Sequence, residues 1–118
     1  MKHFLFLATI IFATLHSYAQ TFSDHFSNET LRVDYIFSGN ATQQMVALDE
    51  LSTSEGWAGR RINLDEVPVR GNGEIRIIDP ESNKPLYRQT FSSLFQEWLV
   101  TEEASRLSKS FEATFLLP

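Results

Sequence analysis

Two runs of alternating apolar residues restrict what this chain can fold into. Over residues 30–37, Leu31, Val33, Tyr35 and Phe37 fall on one face, and Arg32 and Asp34 fall on the other. Over residues 109–117, Phe111, Ala113, Phe115 and Leu117 share a face in the same way. A period of two, carried by β-branched and aromatic side chains, marks a strand with one face buried.

The rest of the chain reads as further short elements. Residues 20–28 are polar apart from Phe22 and Phe26 and are expected to form an arm or a first short strand. Ser38-Gly39-Asn40 signals a turn. Residues 43–51 fit two templates: Met45, Leu48 and Leu51 recur at helical spacing, whereas Val46 and Leu48 alternate. The turn just before them and Thr42 favour a strand in a hairpin with the preceding one. Residues 52–61 have no period and contain two glycines, which predicts a loop around Trp57. A short strand is expected over 61–64. Val67-Pro68-Val69 can form an edge strand at most, because proline donates no ladder hydrogen bond. Gly71-Asn72-Gly73 is a turn, since both residue types tolerate positive φ. Residues 74–79, with Ile75 and Ile77 on one face, and residues 86–91 predict a hairpin with a long connection. Ser93 caps a helical turn, with Gln96 placed to return the bond. Thr101-Glu102-Glu103-Ala104 is a second helix start, with acids where the helix dipole favours them. The sum is an all-β fold: an antiparallel β-sandwich of about six or seven short strands. One or two short helical turns are expected near residues 93–108.

The N-terminus has the pattern of a signal peptide over residues 1–19. Lys2 precedes an apolar run over 4–15, and Ser17-Tyr18-Ala19 supplies small residues where a signal peptidase reads, with cleavage before Gln20. The run is too short for a spanning helix, which needs about 20 apolar residues. The expected product is a single exported domain over residues 20–118, periplasmic, on the cell surface or extracellular, with no membrane span. Cysteine is absent. That excludes the lipid-anchored type of signal and leaves packing alone to hold the domain. The formal net charge of −5, with acids scattered along the chain, argues against a nucleic-acid partner.

Candidate chemistry is sparse. The histidines are His3, His16 and His25, and the first two fall in the signal segment. The His-Glu-x-x-His arrangement that holds catalytic zinc is missing. The acidic pairs Asp49-Glu50, Asp65-Glu66 and Glu102-Glu103 do not predict facing carboxylates at a catalytic gap. Asp79, Glu81 and Asn83 lack the further ligands and glycine of a calcium loop. Accordingly, no catalytic or metal-binding residue is assigned. Trp57, with Arg60 and Arg61 nearby, fits two roles: a platform for sugar or peptide, or a plug at one end of the sandwich covered by the arginines. Trp98, with Leu94, Phe95 and Leu99, has the composition of a core-facing turn.

Four blocks in order carry a resemblance. They are Leu31-Arg-Val-Asp-Tyr-Ile-Phe-Ser-Gly39, Ala47-Leu-Asp-Glu-Leu-Ser-Thr-Ser-Glu-Gly-Trp-Ala-Gly-Arg-Arg61, Phe91-Ser-Ser-Leu-Phe-Gln-Glu-Trp-Leu99 and Phe111-Glu-Ala-Thr-Phe-Leu-Leu-Pro118. Together they resemble the N-terminal, non-catalytic domain of secreted bacterial zinc metallopeptidases of the immunoglobulin-A peptidase family. The resemblance implies an accessory domain whose partner is its own C-terminal catalytic domain in a longer protein. It places zinc in that absent domain, with no cofactor in this chain, and it implies a protein substrate without specifying which. A different reading is an independent secreted module that binds carbohydrate or peptide through Trp57, with a host protein or glycan as partner. A remnant of a longer gene is a third.

Overall fold

The structure is a computed structural model that describes residues 21–67 and 69–118. The expected signal peptide over 1–19 lies outside the described residues, as does Pro68. The described residues form five strands, in chain order β1 (Glu29–Gly39), β2 (Gln44–Glu55), β3 (Gly73–Ile78), β4 (Pro85–Phe91) and β5 (Lys109–Leu117). Helix α1 (Leu94–Leu99) and a 3-10 turn at Glu103–Ser105 lie between β4 and β5, and another 3-10 turn, Phe22–Asp24, precedes β1. The strands form two antiparallel sheets, β2-β1-β5 and β3-β4.

The two alternating runs are neighbours. In the β1–β5 ladder Leu31 lies opposite Leu117, Val33 opposite Phe115, Tyr35 opposite Ala113 and Phe37 opposite Phe111. Directly paired residues point to the same side, so these eight build one apolar face. The β3-β4 hairpin covers it. Phe91 of β4 lies 4.7 Å from Phe115 and 6.1 Å from Phe37, ring centre to ring centre. Cross-strand pairing of Gly73 with Phe91 lets the ring lie over the glycine, where a Cβ would strike it.

The ambiguity over 43–51 resolves through a β-bulge. Asp34 pairs with Glu50 and Tyr35 with Leu48, so Asp49 has no partner opposite it. A bulge shifts the side-chain phase by one. Val46, Leu48 and Leu51, which a regular strand would split between two faces, therefore all stand on the inner face, opposite Phe37, Tyr35 and Val33. The Leu48–Leu51 part of the helix-like spacing is a strand spacing interrupted once, while Met45 falls on the outer face, opposite Ser38.

The hairpin turn depends on Gly39, at φ +126°, where a Cβ would collide with the carbonyl of Gln43. Asn40 holds the rest: its Oδ1 accepts from the amides of Thr42 and Gln43 at 3.0 Å, and its Nδ2 donates to Ser108 Oγ at 2.9 Å. In α1, Ser93 Oγ accepts from the Gln96 amide at 3.1 Å, as the capping pattern predicts, but Gln96 does not return the bond: the Ser93 amide donates to Asn72 Oδ1 at 2.9 Å instead.

The antiparallel all-β architecture and the helical turns agree with the sequence reading, and the described residues form five strands where about six or seven were expected. Residues 20–28 do not supply a strand. Their described part forms a 3-10 turn closed by the Phe26 amide on the Phe22 carbonyl at 2.9 Å, which suits the four-residue spacing of the two rings. Residues 61–64 form bends and the start of a turn, with Asn63 at φ +52°. Val67 and Val69 belong to no strand. In the other direction, β2 continues through Glu55 into the expected loop, because residues 52–55 pair with residues 29–32 of β1. Leu94, grouped with the core from sequence, is 70% exposed, while Phe95 and Leu99 are buried.

Candidate functional site

The residues singled out from sequence come together where the chain leaves β2 and crosses to the second layer. Gly56, at φ +86°, makes the turn. Asn28 fastens it from the start of β1: its carbonyl accepts from the Gly56 amide at 2.8 Å, and its Oδ1 accepts from the Trp57 amide at 3.3 Å. The indole then enters the core beside Phe22, Val33, Leu64, Tyr87 and Leu117, and retains 9% of its exposure. Its ring meets Tyr87 edge-on at 6.1 Å, and its Nε1 donates to the Arg60 carbonyl at 3.0 Å. Gly59 lies flat against the indole, where any side chain would displace it.

Both arginines lie against this corner. The Arg60 guanidinium sits 5.0 Å over the Tyr87 ring and donates to the carbonyls of Leu64 (3.0 Å), Glu66 (2.5 Å) and Arg88. The Arg61 guanidinium sits 4.6 Å over Phe22 and donates to the Trp57 carbonyl at 2.9 Å and to Asn28 Oδ1 at 2.5 Å. Planar, multiply donating guanidinium groups suit such clusters of carbonyl acceptors. The corner therefore joins β1, β2, the crossing loop and β4.

At the other end of the sandwich, Trp98 stacks on Phe95 at 6.1 Å and lies 5.6 Å from Phe111. Its Nε1 donates to Glu103 Oε2 at 2.7 Å, and Lys109 reaches the same carboxylate at 2.5 Å from above the indole ring.

A further surface, not singled out from the sequence, lies on β2. All twelve residues of this strand are exposed, including the inner-face column Val46, Leu48 and Leu51. The apolar spacing that slips by one residue at Asp49-Glu50 is the trace in the sequence of the bulge that aligns this column, though not of its exposure.

With the geometry in place, the four blocks can be set against known families. A family described as Peptidase M64 N-terminus matches residues 21–118. The chain belongs to this family. M64 is the immunoglobulin-A peptidase family of zinc metallopeptidases, so the resemblance in the sequence is borne out. The M64 N-terminal domain is not itself the catalytic one. Comparison with curated proteins returned no match. The described residues of this M64 N-terminal domain do not fit the family's zinc. No group of three or more His, Cys, Asp or Glu side chains converges among them, so no step through zinc is assigned here.

Electrostatics in the domain serve the fold. The Thr114 hydroxyl, 2.5 Å away, and then Arg32 hold the Asp34 carboxyl below its usual range. Ser82 and the Glu81 amide do the same for Asp79, Lys109 and Trp98 for Glu103, and Thr21 for Asp24. Each bond favours the charged carboxylate in the folded chain. Their stabilisation is therefore full above the unfolded-chain values of 3.8 for Asp and 4.5 for Glu, and is lost as pH falls through the lower folded values. The urea midpoint is expected to hold between pH 7 and 5 and to fall steadily below about pH 4. Thr114→Val should shrink that fall. A midpoint independent of pH down to 3 would contradict the assignment.

Proposed function

We propose that this chain is an accessory domain of an exported zinc metallopeptidase, docking on the catalytic domain and helping to place a protein substrate there. The family match over residues 21–118 carries the reading. Export follows from the basic, apolar and small-residue order of residues 1–19. On this reading zinc and the bond-breaking groups belong to the partner, and this chain contributes a rigid two-layer body.

Two measurements test the proposal. The purified chain, incubated with a protein substrate, is expected to produce no chelator-sensitive cleavage, and such cleavage would refute it. The chain is also expected to bind a separately prepared M64 catalytic domain. Failure to bind would remove the docking role.

A further inference from the structure

The two layers of the sandwich differ in width, and the difference leaves a particular surface bare. Three strands form one layer and two form the other. On the shared inner face Val33, Phe115 and Leu117 are 5–6% exposed, because β4 and the Trp57 corner lie over them. One strand further on, Val46, Leu48 and Leu51 are 54–56% exposed. Single exposed apolar side chains are ordinary, but a column of three along one strand marks a contact surface. Alongside it a groove of about 370 Å³ opens at the seam between the layers, lined by the apolar Tyr35, Phe37, Val46, Ile75, Phe91 and Phe115 and by the ion pair Glu74–Arg76. Four aromatic rings thus face a space large enough for an apolar side chain.

The backbone of β2 is free on the same side. Among the described residues β2 pairs with β1 alone, over its whole length. An edge of twelve residues with an apolar flank is a template for an added strand. Charge selects the occupant. β2 carries Asp49, Glu50 and Glu55 and no Lys or Arg. None of the three carboxylates has an ion-pair partner among the described residues. A second copy of β2 in full antiparallel overlap would set Asp49 opposite Glu50 twice, gathering four carboxylates at the bulge, and like charges placed opposite one another are destabilising. Self-pairing is therefore opposed, and a basic partner is favoured.

We infer that the free edge of β2, with its apolar column and adjoining aromatic groove, receives an extended segment of the M64 catalytic domain. That segment places a large apolar side chain in the groove and a Lys or Arg against Asp49 and Glu50. The inference rests on the docking role above and specifies its surface.

The test is a titration of the M64 catalytic domain with the full chain and three variants, with hydrogen exchange read on the β2 amides. Leu48→Ser/Leu51→Ser and Asp49→Lys/Glu50→Lys should each weaken binding about tenfold or more, with melting temperatures close to that of the unaltered chain. Val100→Ser, at a position 88% exposed and away from β2, should bind normally. Binding should also protect β2 amides from exchange. If both β2 variants bind as well as the unaltered chain, the inference falls and the docking role stands. If the unaltered chain does not bind, both fall. A concentration-dependent dimer abolished by Leu48→Ser/Leu51→Ser would assign the edge to a second copy and also overturn the inference.

Discussion

Trp57→Ala is expected to cost about 3–5 kcal/mol of stability, the range for removing a large buried aromatic side chain. The indole is 9% exposed, meets Tyr87 edge-on and donates to the Arg60 carbonyl. Its loss opens a cavity where β1, the crossing loop and β4 meet, and leaves the Arg60 carbonyl without that donor. A domain of this size has about 5–15 kcal/mol in total, so the variant stands near the unfolding threshold. The melting temperature should fall by roughly 12 °C or more. An exposed sugar- or peptide-stacking platform predicts the opposite, since surface substitutions stay within about ±0.5 kcal/mol. Thermal and urea denaturation separate the two, and a variant that melts within a few degrees of the parent rules out the corner as a structural joint.

Phe95→Ala is expected to be as severe, again about 3–5 kcal/mol. Phe95 is 1% exposed, and its ring contacts those of Phe37 at 6.1 Å, Phe111 at 5.7 Å and Trp98 at 6.1 Å. Helix α1 has six residues, far below the length at which a helix persists alone in water, about 12–15 residues. It exists because Phe95 and Leu99 are buried and Ser93 caps its start. Removing Phe95 unseats α1, and with it Trp98, which stacks on that ring. The fluorescence of Trp98 should shift to the red even under conditions where the variant remains folded. An unchanged spectrum with an unchanged urea midpoint would show that α1 is held by something else.

The sequence disclosed those parts of the fold that follow from local pattern. The β1 and β5 rows kept an unbroken period of two and are paired residue for residue. The Ser93 cap was legible because a Ser three residues before Gln polarises one backbone amide whatever lies around it. Other parts depend on partners distant in the chain. Ser52-Thr53-Ser54-Glu55 has no apolar residue to betray a strand and is one only because β1 lies alongside. Arg61-Ile62-Asn63-Leu64 has strand-like residues, but Leu64 turns into the core while Ile62 is 74% exposed. In the candidate site, the proximity of Trp57, Arg60 and Arg61 was legible from their spacing. The bare column on β2 was not, because exposure there is decided by how far the other layer reaches.

The sheet order β2-β1-β5 also governs how the domain is made. Of the described strands, β1 is the first to leave the ribosome, and its second neighbour, β5, is the last. Until β5 emerges, the row from Leu31 to Phe37 is flanked by β2 alone, and Phe91 lacks Phe115 beneath it. Until residues 109–117 are made, the nascent chain therefore carries an open hairpin with an uncovered apolar face, a state in which strand edges are prone to wrong pairings. Closure waits for contacts between residues as far apart as Leu31 and Leu117, and such distant pairing is slow because the loop entropy must be met before the contacts form.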